Sequence, residues 1–71
     1  MNKEQINDMM AYHPWDCNKV EKGNKIREVL SHALLVIFEN VPDCQDRSTA
    51  IRKIREARMD CNSAITHDGN Y

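Results

Sequence analysis

The sequence has few of the residues that mark linkers or a disulfide framework. Its 71 residues include two glycines and two prolines, with no low-complexity stretch, so we expect one small domain over 1–71. The cysteines are odd in number and far apart, at Cys17, Cys44 and Cys61, and we see no secretory signal. This pattern favours a reducing cytoplasm in which all three remain free thiols.

Long apolar runs and motifs for chemistry are also absent. The longest apolar run, Ala33–Phe38, is far shorter than the roughly 20 residues that a membrane span needs, so we expect no membrane partner. No C-x-x-C or H-x-x-x-H pair occurs, because His13, His32 and His67 are scattered, and we predict no metal site. Because there is no nucleophile signature and no glycine-rich phosphate loop either, we expect a protein without a cofactor and without catalysis.

The charge is nearly balanced, with ten basic and eleven acidic residues and a formal net charge of −1. Proteins that bind DNA or RNA polymers normally carry a basic excess, so the balance argues against that class. A chain of this length buries only a small core and usually needs a disulfide, a metal or oligomerisation for stability. With the first two disfavoured, we expect a homo-oligomer.

The first helical segment falls within residues 1–13, from Asn2 or Lys3 to Tyr12. Asn2 can cap it, because the side-chain oxygen can accept a hydrogen bond from the first turn. Helical spacing places four side chains on one narrow stripe: Ile6, Met9, Met10 and His13. Pro14 disfavours helical geometry at the preceding residue and ends the segment. A helix this short is marginal alone, so we expect the stripe to dock on another surface.

The second helix is predicted over 16–40, with Asp16 or Asn18 as its cap. Gly23 weakens its first turns by about 1 kcal/mol relative to alanine, which indicates a close approach to the backbone there or a later helix start. One apolar seam follows helical spacing: Ile26, Leu30, Ala33 and Ile37. The stretch ALLVIF then places apolar side chains all round the helix, and such a helix is buried all round. A single hairpin cannot bury its own member in this way, so the pattern again predicts a homo-oligomer.

The third helix is predicted over 43–66, and three residues are candidate caps: Asp43, Asp46 and Ser48. Its seam has small side chains that permit close approach of the facing helix: Ala50, Ile54, Ala57, Cys61 and Ala64. We expect residues 67–71 to form a frayed tail, although Tyr71 is large enough to pack against a neighbour. The predicted fold is all-α: a short N-terminal helix, a proline elbow at Pro14, and an antiparallel helical hairpin that assembles into a compact homo-oligomer.

Two adjacent stretches are candidates for ligand binding: AYHPWDCNK (11–19), which holds two of the four aromatic rings, and KGNKIRE, which follows it. Basic side chains at a helix N-terminus, together with its free backbone N–H groups, form an anion site. An aromatic face beside a phosphate site is typical of nucleotide binding, because a base can stack on it. Taken alone, the residues favour a structural alternative, in which the rings close the core and Lys25 and Arg27 pair with glutamates.

The order of several stretches along the chain resembles that of a known family. YHP follows a short helix, KIRE opens a long helix, VPDCQDRS connects it to the next, and IRKIREARMDCNSAI continues there. This order is similar to that of the small phage anti-CBASS cyclic-nucleotide sponges, which share a helical-hairpin domain with certain anti-Thoeris sponges. The resemblance covers about Met10 to Ile65, and its specificity lies in the shared order and spacing of the pieces.

The resemblance implies a homohexamer without catalysis, in the cytoplasm of an infected bacterial host. Such a protein binds the cyclic oligonucleotide messengers of bacterial immunity and keeps them from their effector. In that family a tyrosine stacks on a base and a lysine contacts phosphate in pockets between protomers, and these correspond here to Tyr12 and Lys25. By adjacency in the motif, the resemblance implies pocket or interface roles for three more residues: His13, Pro14 and Arg27.

The ligands that the resemblance implies are 3′,3′-type cyclic dinucleotides such as cyclic GMP–AMP. Some members of the family hold cyclic trinucleotides in a second pocket, for which Arg58 and Asn62 are the candidates here. The sequence departs from the family at Gly23 and Asn24, where a bulkier residue is expected before KIR, and at Trp15 after the proline. These departures bear on base preference and on the shape of the pocket.

Two other functions remain open from the residues. A small helical module that blocks a host protein would use exposed apolar side chains: Met9, Met10, Trp15 and the apolar face of the second helix. An anti-Thoeris sponge would instead prefer isomers of cyclic ADP-ribose. A panel of cyclic nucleotides, together with the oligomeric state of the isolated protein, distinguishes the three.

Overall fold

The computed structural model describes residues 1–70, and it is all-helical. It contains three helices, α1 (Lys3–Met10), α2 (Cys17–Asn40) and α3 (Gln45–Thr66), and no strand within those residues. The all-α prediction is therefore confirmed. The predicted packing of Tyr71 lies outside the described residues. No helix of this part of the chain is both long enough and apolar enough to cross a lipid bilayer.

α1 begins as predicted and ends earlier than predicted. The Asn2 side chain accepts a hydrogen bond from the Gln5 backbone N–H at 2.8 Å, and the Gln5 side chain accepts one from the Asn2 backbone N–H at 2.9 Å. These two bonds satisfy backbone donors that the start of a helix leaves free. The helix ends at Met10, where the Asp8 carbonyl accepts hydrogen bonds from the Ala11 backbone N–H at 3.3 Å and from His13 Nε2.

α2 begins at the residue that follows one of its two predicted caps. The Asp16 carboxylate accepts a hydrogen bond from the Lys19 backbone N–H at 2.8 Å, which confirms Asp16 as the cap. Pro14 lies outside both helices, in the connection formed by residues 11–16. At the other end, the Asn40 side-chain amide donates to the Val36 carbonyl at 2.8 Å and supplies a partner for the last turn.

α3 starts without any of its three predicted caps. Its first hydrogen bond runs from the Ser48 N–H to the Cys44 carbonyl at 3.2 Å, so Cys44 holds the cap position, without a side-chain hydrogen bond to the helix. Asp43 therefore lies just outside the helix, and its carboxylate pairs with Arg47 at 3.1 Å. The predictions of Asp43, Asp46 or Ser48 as the cap are wrong for this reason.

α2 and α3 form an antiparallel hairpin. At its open end, the Lys19 ammonium near the start of α2 donates to the Thr66 carbonyl at the end of α3, at 3.1 Å. At its closed end, the Arg47 guanidinium lies over the Phe38 ring, with Cζ 5.1 Å from the ring centroid, a favourable cation–π distance. The backbone of α1 runs alongside neither helix.

The facing seams of the hairpin are half-buried, largely as predicted. The half-buried members are Ile26, Leu30, Ala33 and Ile37 of α2 and Ala50, Ile54, Ala57 and Cys61 of α3. Ala64 is exposed instead, and Thr66 is the α3 residue that meets Trp15 and Lys19 at this end. The seams thus hold the two helices together without forming a closed core.

A single chain leaves much of its apolar surface in water. Among residues 1–70 no hydrophobic side chain is fully buried, and Val29 and Phe38 are 67% and 61% exposed. The accessible surface is 5862 Å², whereas a compact monomer of this mass exposes about 4,600 Å². The radius of gyration, 15.3 Å, also exceeds the roughly 11 Å of a compact domain of this length. The isolated chain is therefore an open unit with apolar surface on both flanks of α2.

Residues 67–70 form a hydrogen-bonded turn after α3, within the segment that the sequence predicted to be a frayed tail. The Gly69 N–H donates to the Ala64 carbonyl at 3.0 Å, and the Asp68 N–H donates to the Ile65 carbonyl at 3.4 Å. This pair of bonds is the Schellman motif that satisfies the last carbonyls of a helix. Asp68 has a φ of 53°, in the left-handed region where glycine is the usual residue.

Candidate functional site

Trp15 joins the α1–α2 connection to both helices of the hairpin. Its indole lies against the backbone of Gly23, the one fully buried residue among those described. The indole N–H donates to the Thr66 hydroxyl at 2.7 Å, and that hydroxyl donates to the Asn62 carbonyl at 2.8 Å. The sequence left the role of Trp15 open between closing the core and contacting a partner, and a glycine early in a helix was the signal of a close approach. Of the two interpretations of Gly23, the close approach is confirmed.

A groove of about 540 Å³ lies beside Trp15 along the first turns of α2. Its volume falls within the range of small-molecule sites, and it is open to solvent. The indole, Cys17 and Val20 supply apolar contact surface, whereas Asn24 and Lys25 supply polar groups. The groove therefore combines a ring, an amide and an ammonium group, which together suit a ligand with both a flat base and a phosphate.

Two carboxylates, Glu21 and Glu28, also line the groove. The Lys25 ammonium lies 3.6 Å from the Glu21 carboxylate, one turn earlier on α2, and both side chains are well exposed. In the ligand-free chain Lys25 thus makes the ion pair that the structural alternative predicted. Exposed pairs of this kind contribute little free energy, so an incoming phosphate can replace Glu21 at low cost.

Tyr12 does not line this groove, and its side chain is 89% exposed. The structure therefore does not bring the Tyr12 ring and the Lys25 ammonium together within one chain. The structural alternative, in which the aromatic rings close the core, agrees with the half-buried Trp15 and disagrees with the exposed Tyr12. The Tyr12 ring is available to a second molecule.

His13 and Pro14 lie in a different pocket, of about 260 Å³, between the α1–α2 connection and the end of α3. The rings of His13 and His67 meet edge to face there, with centroids 5.0 Å apart and planes at 80°. Lys19 and Asp68 line the same pocket and lie 3.4 Å apart. The structure thus separates His13 and Pro14 from the groove that contains Lys25.

The remaining predicted site residues lie on the outer faces of the hairpin. Arg27 is exposed on α2 and does not line the groove. Arg58 and Asn62, one turn apart on α3, share a shallow depression of about 240 Å³ with Arg55 and Met59. The structure therefore brings the two second-pocket candidates together and leaves Arg27 apart from Lys25.

The structure also assembles three side chains that could hold a metal ion. One ligand atom each of Asp8, His13 and His67 lies within 4.8 Å of the other two. Because these residues come from α1, the α1–α2 connection and the end of α3, no short spacing in the sequence could reveal the group. The sequence prediction of no metal site rested on spacing alone.

Comparison with known protein families, with curated proteins and with solved structures finds no match to this chain. The class that the structure itself defines is an all-α protein built on an antiparallel helical hairpin, with an open groove beside Trp15. Any function must therefore be argued from the groove, the exposed surface and the order of residues along the chain.

Proposed function

We propose that the protein binds and sequesters cyclic dinucleotides, such as 3′,3′-cyclic GMP–AMP, without changing them chemically. In this proposal it is a phage protein that acts in the cytoplasm of the infected bacterium against CBASS defence. The observation that carries the proposal is the groove in which the Trp15 indole and the Lys25 ammonium line one open surface. The order of motifs that resembles the anti-CBASS sponges supports it independently.

Each group of the groove matches a part of a cyclic dinucleotide. The Lys25 ammonium would exchange its exposed partner Glu21 for a phosphate, which binds it through charge-assisted hydrogen bonds. The indole offers apolar surface to a base, and stacking on an aromatic ring contributes about 1–3 kcal/mol per base. The carboxylates of Glu21 and Glu28 can accept hydrogen bonds from the exocyclic amino groups of adenine or guanine.

An open groove on one chain does not supply the affinity that sequestration requires. Nanomolar binding corresponds to about 12 kcal/mol, more than one stacked base and one phosphate contact provide. A site closed by two protomers doubles these contacts and excludes water from them. In this proposal the proline elbow at Pro14 turns Tyr12 outward, so that its ring covers a base bound beside Lys25 of another protomer.

The exposed apolar surface of α2 supports such an assembly, proposed as a homohexamer. Val29 and Val36 lie two turns apart on one exposed face, and Leu35 and Phe38 lie on another. Burying both faces requires neighbours on two sides of α2, which a hairpin alone does not have. A ring of protomers supplies them, and the chain's long dimension of 46 Å gives ample length for contact.

A panel of cyclic nucleotides tests the proposal directly. We expect 3′,3′-linked cyclic dinucleotides to raise the melting temperature, because a ligand that binds only the folded protein stabilises it. Lys25→Ala and Tyr12→Ala should each weaken binding at least tenfold without dispersing the oligomer. Lys53→Ala, at an exposed position on α3, and Met10→Ala, at the exposed end of α1, are the matched controls. If no cyclic nucleotide in the panel binds, the proposed sequestering function is excluded.

One alternative is favoured by a specific observation, the exposed apolar surface of α2. A helical module that blocks a host protein would use this surface for its partner rather than for self-association. The isolated protein would then be a monomer and would bind no cyclic nucleotide. An anti-Thoeris sponge would instead form an oligomer and bind isomers of cyclic ADP-ribose from the same panel.

A further inference from the structure

Asp8, His13 and His67 meet at the point where three parts of the chain converge. Asp8 lies in the last turn of α1, His13 in the α1–α2 connection, and His67 at the end of α3. One ligand atom of each lies within 4.8 Å of the other two. The His13 Nε2 atom is 3.5 Å from an Asp8 carboxylate oxygen, and the two imidazoles pack edge to face. The three groups therefore face a common space.

We propose that this cluster binds one divalent transition-metal ion per chain, with Zn²⁺ as the natural probe. Two imidazoles and one carboxylate form a ligand set that Zn²⁺ accepts, with a fourth position left for water. With Zn–N and Zn–O bonds of about 2.0–2.2 Å, ligand atoms in a tetrahedral site lie about 3.3 Å apart. The observed separations need to shorten by about 1.5 Å at most, which side-chain rotation can supply.

The surrounding structure holds the three ligands in place. The Schellman turn after α3 determines where His67 leaves the helix, since the Asp68 and Gly69 N–H groups are bonded to α3 carbonyls. The His13 ring is oriented by its hydrogen bond to the Asp8 carbonyl. Both imidazoles are half-buried, so little further ordering is required when an ion binds.

The charges around the cluster also permit a cation. Lys19 and Asp68 line the same pocket, and their opposite charges lie 3.4 Å apart. They offset each other, and the Asp8 carboxylate lies beside the two imidazoles. A neutral imidazole carries a proton on one ring nitrogen only, so binding through the other nitrogen leaves the His13 N–H bond to the Asp8 carbonyl intact.

Binding of the metal ion would fix the position of α1 relative to the end of α3. The backbone of α1 runs alongside neither α2 nor α3, and the edge-to-face contact between His13 and His67 joins the segment after α1 to the end of α3. Coordination bonds from Asp8 in α1 and His67 after α3 would link these two elements through one ion. The ion is thus expected to stabilise the orientation of α1 and of the Tyr12 segment that follows it.

Titration of the full chain with ZnCl₂ tests the site by calorimetry, with MgCl₂ as an oxygen-preferring control. We expect one Zn²⁺ per chain, a raised melting temperature and no response to Mg²⁺. His13→Ala and His67→Ala should each weaken Zn²⁺ binding at least tenfold. His32→Ala, an exposed histidine on α2, should leave it unchanged. Absence of Zn²⁺ binding, or equal binding by His67→Ala and the unaltered chain, would overturn the proposal.

The free thiols are the main competitor for the ion, and a second measurement separates them from the cluster. Cys17 and Cys44 are exposed, and Cys61 is half-buried in the α3 seam. Co²⁺ bound by imidazole and carboxylate alone should give weak visible bands without a thiolate-to-cobalt charge-transfer band. A strong charge-transfer band would assign the ion to cysteine and overturn the proposal. This spectrum needs no variant, and neither Zn²⁺ nor Co²⁺ binding depends on whether cyclic dinucleotides bind.

Discussion

The Trp15 indole occupies the space that a side chain at Gly23 would need. A Cβ added at Gly23 would lie 2.7 Å from the ring carbon Cη2 and closer still to Cζ3. Real Cβ atoms do not approach ring carbons so closely, because the contact is strongly repulsive. The glycine that weakens α2 as a helix therefore permits the contact that places the indole at the edge of the candidate groove.

Gly23→Ala should destabilise the protein despite the better helix propensity of alanine. Alanine gains about 1 kcal/mol in an exposed helix, but an overpacked contact costs about 1–3 kcal/mol. We expect a lower free energy of unfolding by urea, measured at constant protein concentration because any self-association would make stability depend on it. In a Trp15→Ala background the sign should reverse, and Gly23→Ala should then stabilise. Stabilisation by Gly23→Ala in both backgrounds would show that the indole does not pack there.

Thr66→Val should destabilise the junction between the α1–α2 connection and α3. Valine has the shape of threonine but cannot accept the hydrogen bond that the Trp15 indole donates at 2.7 Å. Loss of one such bond costs about 1 kcal/mol when the donor is left without a partner. Thermal unfolding should show this loss for Thr66→Val and a smaller one for Thr66→Ser, which keeps the hydroxyl. Equal loss in both variants would mean that the methyl group, and not the hydrogen bond, matters.

Lys19→Met should lower stability more than Lys22→Met. The Lys19 ammonium donates to the Thr66 carbonyl at 3.1 Å and lies near Asp68, so it places a positive charge at the negative end of α3. Methionine keeps the aliphatic stem but loses a contribution of about 0.5–1.5 kcal/mol. Lys22 lies about one turn after Lys19 on α2, is exposed to solvent, and serves as the control. The difference should shrink at high salt, and a difference that does not respond to salt would argue against the charge.

Charge on the exposed face of α2 should disperse the assembly. Val29→Lys together with Val36→Lys places two like charges where neighbouring protomers are proposed to pack. Light scattering should show a shift from the oligomer towards the monomer, whereas Glu56→Lys, at an exposed polar position of α3, should leave the mass unchanged. An unchanged oligomer in the double variant would place the interface elsewhere.

Local rules predicted most of the fold from the sequence. Three kinds of signal act over only a few residues and can be identified without tertiary structure. They are side-chain capping by Asn2 and Asp16, helical spacing in the two seams, and the interruption of helix at Pro14. The start of α3 was mispredicted because Cys44 holds the cap position without a side-chain hydrogen bond, so no capping side chain marks the start in the sequence. The Arg47 guanidinium, which pairs with Asp43, also lies over the Phe38 ring, a contact that local sequence does not show.

The candidate site could be predicted only in part. The basic start of α2 identified Lys25, but the contact of Trp15 with Thr66 joins residues from opposite ends of the chain. The same applies to His13 and His67, whose rings meet only because α3 returns to the start of α2. Contacts of this kind arise from the hairpin's length and register, which no single motif encodes.

Calorimetric titration of the unaltered protein with 3′,3′-cyclic GMP–AMP tests the proposed sponge most directly. A site that two protomers close across a two-fold axis, each supplying the same contacts, takes one ligand for every two chains, and sequestration requires nanomolar affinity with no conversion of the ligand on recovery. We expect this stoichiometry, with binding at least tenfold weaker in Tyr12→Ala although Tyr12 does not line the groove of its own chain. The absence of heat, or one ligand bound per chain with unchanged affinity in Tyr12→Ala, would contradict the account.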